Sequence, residues 1–345
     1  IFALGFILLS RVNSIPTFYL AIMVLALGSS LAGFSAVVAS VNNWFRRNRS
    51  KAMGIAMLGL GLGGVIFSPV LAGSTAYFGW EKTAVGSALL ILILGLPISR
   101  VVRYSPEPYG YLPDGDKPQN PGRIDPSSSD SDMVKLMENY QYEHDFTVSE
   151  ALKTPAFWII ASGHGLALVA ISSISLHQVP YMETDLNLSR SAAAQVVILT
   201  SLIMMMFQPV GGFLGDRFPK QYILAATFVG HGVAMILLAT SDSYSHLMVY
   251  AVIQGIAWGT RGPVLTSIRG DYFGRKSFAV ISGFSQLVMM IGMMVGPVLT
   301  GYMADNYSYS QGFVIIGLAV GSGSLMFLYM KKPEPKSREV NPQKE

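Results

Sequence analysis

Residues 44–73 read WFRRNRSKAMGIAMLGLGLGGVIFSPVLAG, and this stretch decides the fold because it occurs twice. A second copy, YFGRKSFAVISGFSQLVMMIGMMVGPVLTG, occupies residues 272–301 at a constant shift of 228. Phe45 aligns with Phe273, Arg47 with Arg275, Gly64 with Gly292, Pro69 with Pro297, Val70 with Val298, Leu71 with Leu299 and Gly73 with Gly301. Seven matches in 30 positions is modest identity, but five of them fall in a single G-x4-PVL-x-G signature. Each copy joins a short basic turn to a long apolar helix. A repeat far longer than a solenoid unit, built that way, predicts two equivalent halves of a membrane protein.

Composition agrees. Hydrophobic residues make up 51% of the chain and charged residues only 13%, against roughly 25% charged in soluble domains. The net charge of +4 comes from basic residues in short turns between apolar runs, which fits membrane topology and gives no nucleic-acid surface. With no cysteine, disulfides, thiolate metal sites and thiol nucleophiles are excluded. Nothing in the sequence asks for a metal or a cofactor.

Residues 1–10 are apolar and would form about 15 Å of helix, half of what a bilayer needs. They lack the basic segment of a signal peptide, and so read as the remainder of a transmembrane helix. Nine complete spans are expected, at residues 19–42, 51–78, 83–99, 156–181, 191–214, 222–240, 246–268, 278–303 and 311–330. Residues 105–132 are rich in Pro, Gly, Asp and Ser and read as a flexible linker. Thr147 and Glu150 have capping-box spacing before a short surface helix through Lys153, and Pro155 suits the first turn of the next span. The expected organisation is therefore 1–104 in one half, 105–154 as linker, 155–331 in the other half, and a disordered tail at 332–345.

Of the 24 Lys and Arg residues, Arg11, Lys82 and Arg190 fall in one set of loops and Arg261 within a span; the rest belong to the opposite loops, the linker and the tail. The positive-inside rule makes that second side cytoplasmic, in a multi-pass protein of the plasma membrane. The shift of 228 also sets residue 1 opposite Val229, in the middle of a span. About 75 further residues, holding two spans and part of a third, are thus expected upstream, for twelve spans in two sixes.

Six plus six helices, parallel repeats and a cytoplasmic linker resemble the major facilitator superfamily of secondary transporters. The stretch GFLGDRFPK at 212–220 is similar to that superfamily's loop signature G-x-L-x-D-R-x-G-[RK], departing from it at Pro219. The resemblance implies a gate motif of Gly212, Asp216, Arg217 and Lys220, in which the aspartate holds the inward side shut, partly by facing a neighbouring helix N-terminus. Within the superfamily the chain is most similar to the monocarboxylate-transporter and oxalate/formate-antiporter branch. The residues that carry this are Trp44-Phe45-x-Arg47-x-Arg49 with Ala52, Gly54, Ala56 and Gly59, then PAFW at 155–158 and HQVP at 177–180. Branch members often carry an arginine before a proline in the eighth helix, where it meets the substrate carboxylate; here Gln208 precedes Pro209.

Gly59-x-Gly61-x-x-Gly64 matches a dinucleotide fingerprint in letters only, because it lies inside an apolar span rather than between a strand and a helix. Gly59 and Gly63 form G-x-x-x-G, so Gly59, Gly63, Gly64 and Pro69, with Gly292 and Pro297 in the repeat, are expected to pack helices. Arg261 is the one basic residue placed inside a span, with Arg269 marking its cytoplasmic end. Gln254, Trp258 and Arg261, at i, i+4 and i+7, share one helical stripe. A polar, aromatic and cationic stripe suits an anion in a cavity; snorkelling toward the interface is the bland alternative. All 20 acidic residues lie in loops, the tail or span ends, so Arg261 lacks an evident partner. His164 and His177 are the candidate proton carriers, each also readable as a hydrogen-bonding core residue. Gln195, Gln208, Gln286, Ser29, Ser30, Ser172 and Ser173 are expected mostly to join helices, with one or two lining the path.

The sequence thus reads as an all-α, twelve-span secondary transporter of a small organic anion, monomeric, with a proton or counter-substrate as coupling partner. Two alternatives stay open: a carrier of neutral or amphipathic compounds, favoured by Gln208 and the 18 methionines, and a transporter-like sensor without flux. Paired intramembrane acids or a Ser/His arrangement, as a membrane enzyme would need, are not visible.

Overall fold

The computed structural model describes residues 1–116 and 145–334. The linker residues between those segments, and most of the tail expected to be disordered, lie outside the described residues. The described residues form twelve α-helices: α1 (Phe2–Leu9), α2 (Ile15–Ala32), α3 (Phe34–Trp44), α4 (Arg49–Phe78), α5 (Trp80–Val101), α6 (Val148–Leu152), α7 (Pro155–Thr184), α8 (Arg190–Arg217), α9 (Lys220–Ala239), α10 (Tyr244–Phe273), α11 (Phe278–Asn306) and α12 (Tyr309–Leu328). Local chemistry fixes many of the starts. Ser14, Thr154, Ser189, Ser243 and Ser308 each accept a backbone N–H of the first turn they precede, satisfying donors that a helix cannot pair internally. The capping box at Thr147 and Glu150 is present, with Glu150 Oε2 taking the Thr147 N–H at 2.8 Å. Pro155 begins α7.

Among the described residues, eight spans are long and apolar enough to cross a membrane, with α2 and α3 counted as one. The ninth expected span, α10, is as long as any at 30 residues but carries Gln254, Arg261 and Arg269. Nineteen of its residues are buried, against four in α4. It packs between α8 and α9, so protein rather than lipid surrounds its polar groups. One expected span is broken: α2 and α3 meet at Gly33, whose backbone is extended. A Cβ there would strike the Ser29 carbonyl.

The α7–α12 half holds a continuous core that includes Phe157, Phe228, Phe313 and Phe327. The two halves meet where α4 crosses α8 and α10, and where α3 approaches α10 and α11. Glycine sets the closest crossings. At Gly54 a Cβ would stand 2.5 Å from the Gln208 carbonyl oxygen on α8, and at Gly292 it would strike the backbone of Gly165 on α7. The described helices give the expected packing face of Gly59, Gly63 and Gly64 no partner: a Cβ on any of them meets nothing within 4 Å among the described residues. Pro69 is likewise exposed. Among the described residues no helix covers that face of α4, and its close approach occurs nearer its start, at Gly54. Pro297 does join helices, through a carbonyl that accepts a bond from α7.

Gly292→Val is expected to destabilise the protein by about 1–3 kcal/mol, the usual cost of overpacking, whereas Gly64→Ala, which meets no described neighbour and gains helix propensity, is expected not to lower the melting temperature. Thermal unfolding of the two variants in detergent checks both; equal melting temperatures would contradict the assignment.

Candidate functional site

The basic turn of the first repeat copy and the 212–220 motif come together at one end of the bundle, here called the basic end. Gly212 and Gly215 on α8 make this possible. A Cβ on Gly212 would lie 2.5 Å from the Ser50 carbonyl oxygen, and one on Gly215 would lie 2.8 Å from Ser50 Oγ. The first turn of α4 therefore rests directly on α8. Asp216 then accepts the Ser50 N–H at 2.8 Å and the Lys51 N–H at 2.9 Å, one on each carboxylate oxygen. A carboxylate on the positive end of a helix is favourable on both hydrogen-bonding and dipole grounds.

Further contacts tighten this end. Ser50 Oγ and Ser267 Oγ are 2.8 Å apart in a buried pair. Asp271, near the end of α10, pairs with Arg49 Nη1 at 2.5 Å and with Lys220. Arg49, which in sequence belongs to a short basic turn, has no exposed side-chain surface. Arg217 lies at the rim, its guanidinium 6.0 Å from the centre of the Phe213 ring. Sequence reasoning missed Ser50, Ser267 and Asp271. Lys220 was visible as part of the motif, but nothing local pointed to its partner Asp271, 51 positions further along the chain.

Deeper in, a cavity of about 350 Å³ opens between the halves. His164 of α7, Thr266 and Arg269 of α10, Ser282, Gln286 and Met289 of α11 and Ser35 of α3 contribute to its wall. Gln286 Nε2 donates to Ser35 Oγ at 3.2 Å across the two halves. Arg269 does not mark a solvated helix end, as expected from the sequence; it is 5% exposed, because α10 continues to Phe273 and α7 and α11 cover it. Its Nη2 donates to His164 Nδ1 at 2.8 Å. An arginine only donates, so the His164 nitrogen must be the unprotonated one.

Arg261 is 3% exposed, and its Nε and Nη1 have no hydrogen-bond partner among the described residues. Its charge lies within electrostatic reach of both His164 and His231. Gln254, on the same stripe, is buried and accepts from His231 Nδ1 at 3.1 Å; Trp258 is half-buried. Gln208 lies at the α4–α8 crossing with its side-chain oxygen unpaired among the described residues. His177 is not part of this group: its Nε2 donates to the Pro297 carbonyl at 3.0 Å, tying α7 to α11. Every described Asp and Glu of the long helices lies near a helix end, so no described carboxylate neutralises the two interior arginines.

Comparison with known proteins agrees with this architecture. The family model described as the Major Facilitator Superfamily matches residues 1–178 and 160–345. The chain belongs to that superfamily of membrane transporters. It is 26% identical over 334 residues to monocarboxylate transporter 13 of Bos taurus, covering 94% of this chain and 71% of that protein. It is 23% identical over 355 residues to the oxalate:formate antiporter of Oxalobacter formigenes, covering 98% and 76%. Among solved structures it resembles the E. coli fucose:proton symporter FucP, with a TM-score of 0.69, 13% identity and coverage of 95% and 81%. The human organic anion transporter MFSD10 gives a TM-score of 0.67 at 13% identity, covering 94% and 74%.

Asp216→Asn replaces one acceptor oxygen with a donor facing the α4 N–H groups. The variant is expected to remain folded and to open the basic end. Labelling of a cysteine introduced at Thr266, by an impermeant maleimide applied to that side, should accelerate; an unchanged rate would count against a closing role for Asp216.

Proposed function

We propose that the protein is a secondary active transporter of a small organic anion, monocarboxylate-like, working by rocker-switch alternating access between its two halves. One observation carries this reading: Arg261 and Arg269 are buried in α10 with no carboxylate to neutralise them among the described residues. An uncompensated charge inside a bundle is costly, and a substrate carboxylate entering the inter-half cavity would remove that cost once per cycle. Arg269 offers its planar fork to the inter-half cavity, and Arg261 contributes charge from behind, along the stripe it shares with Gln254 and Trp258. The relatives that transport monocarboxylates, oxalate and formate, by their names, support an organic anion.

His164 supplies a route for coupling. Its Nδ1 accepts from Arg269, so taking up a proton there breaks that bond and frees the arginine for a carboxylate. His177, engaged with Pro297, has the weaker claim. In the cycle, the gate motif of Gly212, Asp216, Arg217 and Lys220 closes the cytoplasmic side of the plasma membrane, where the basic turns lie: Asp216, seated by Gly212, makes the cross-half contact, Lys220 holds Asp271 and Arg217 lies at the rim. One chain carries both halves and acts as a monomer, with a proton or counter-substrate as the second cargo.

A second reading is favoured by a specific feature. Gln208 stands where an arginine would meet a carboxylate, and Met289, Met290 and Met293 make part of the cavity wall soft and apolar. These suit a neutral or amphipathic cargo. Substrate counterflow in proteoliposomes separates either carrier from a sensor without flux.

Uptake of carboxylate anions into liposomes tests the first reading. Arg269→Gln and Arg261→Gln are each expected to reduce uptake roughly tenfold or more, equivalent to about 1.4 kcal/mol. The Lys variants, which keep the charge but lose the fork, should lose less. Full anion uptake by both Gln variants, with melting temperatures close to the parent protein, would overturn the anion site.

A further inference from the structure

The two ends of the linker grip the two repeat-related basic turns in the same way. Asp114 accepts the backbone N–H groups of Arg46 at 3.1 Å, Arg47 at 2.9 Å and Asn48 at 3.3 Å. Asp145, on the far side of the linker, accepts those of Arg275 at 2.7 Å and Lys276 at 3.0 Å. Arg47 and Asn48 align with Arg275 and Lys276 at the repeat shift of 228. Two carboxylates from one connecting segment therefore cap the same backbone positions in both copies. Such runs of backbone N–H groups form concave sites for an anionic oxygen.

The local backbone is shaped for these contacts. Asp114 has φ 63, a left-handed conformation that aspartate and asparagine tolerate better than other side chains. Its carboxylate is only 4% exposed. Gly274 has φ 78, and a Cβ there would collide with Asp145 Oδ1. Phe146, next to Asp145, donates its N–H to the Phe273 carbonyl and sets its ring 5.8 Å from that of Phe273.

Each gripped turn leads into groups that reach across to the opposite half. After residues 46–48 come Arg49, which pairs with Asp271, and the N–H groups of Ser50 and Lys51, which Asp216 accepts. In the second copy the Arg275 side chain donates to the Asn43 carbonyl at 2.9 Å and pairs with Glu107 at 2.9 Å. The contacts that join the halves thus start from backbone that the linker aspartates orient.

We propose that Asp114 and Asp145 are positioning residues of alternating access: by fixing the two basic turns they aim the cross-half contacts, and so set the balance between the closed and open states of the basic end. The linker then participates in the cycle instead of merely joining the halves. This does not depend on what is carried.

The test uses Asp114→Asn and Asp145→Asn, each in a protein bearing a cysteine introduced at Thr266 and no other, the 345 residues themselves containing none. Asparagine keeps the left-handed backbone available at position 114, so the change isolates the lost carboxylate charge and acceptor. Impermeant maleimide is applied separately to each side of the membrane in right-side-out and inside-out vesicles. Each variant is expected to label roughly five- to tenfold faster from the basic end and slower from the other, as loss of charge-assisted bonds shifts a two-state balance. A purely structural role would lower the yield or the melting temperature without reversing the sidedness. Asp116→Asn is the control, because Asp116 meets the side chain of exposed Arg47, and it should leave both rates unchanged. Rates within twofold of the parent from both sides, in either folded variant, would overturn the proposal, as would an equal effect of Asp116→Asn.

Discussion

The first turn of α4 presents backbone N–H groups that its own helix cannot satisfy, and the other half of the protein satisfies two of them. Asp216 can do so only because Gly212 and Gly215 let α4 lie against α8 without intervening side chains. Once that contact is made, Ser50 meets Ser267 and Arg49 meets Asp271, so the opening residues of α4 engage several different groups across the boundary. None of these bonds involves apolar burial of any size. These directional polar contacts give the junction a well-defined geometry, and beside them a small buried apolar cluster of Val38, Ala39, Met53 and Phe278 also spans the boundary between the halves.

Much of this was legible in the sequence. The repeated segment pointed to two halves, and the 212–220 motif, through its resemblance to a known loop signature, pointed to an aspartate facing a neighbouring helix N-terminus, as Asp216 does, because capping is local in its demands. Prolines and hydroxyl residues marked several helix starts for the same reason. The G-x-x-x-G pattern at Gly59 and Gly63 meets no neighbour among the described residues. Gly292, aligned with Gly64, does have one in Gly165. Asp271, Asp114 and Asp145 were not legible: each looks like a polar turn residue, and its role arises from partners tens to hundreds of positions away. Arg269 looks like the end of a helix because the apolar run stops there, whereas α10 continues to Phe273 inside the protein.

The last turns of α10 bring the two functional regions together. Arg269 faces the cavity and His164, while Asp271, two residues on, holds Arg49 and Lys220 at the basic end. Two residues are about 3 Å of helical rise. A rigid helix cannot move one of these groups without the other, so the cavity wall and the contacts of the basic end are mechanically linked through a single element. The close packing of α10 against its neighbours provides the rigidity that this linkage requires.

That same helix has a consequence for how the protein is made. The other long helices can partition into lipid on their own apolar surface, but an arginine near the centre of a span costs about 2.5–3.5 kcal/mol on the scale of cellular membrane insertion. With two arginines and Gln254, α10 is a poor candidate for lateral release from the translocon as a solitary segment. Its natural companions are α8 and α9, which it packs against and which precede it in the chain. Biogenesis of this half is therefore expected to hold α8 and α9 at the insertion machinery until α10 arrives, so that the charge passes from an aqueous channel into protein and never into bare hydrocarbon.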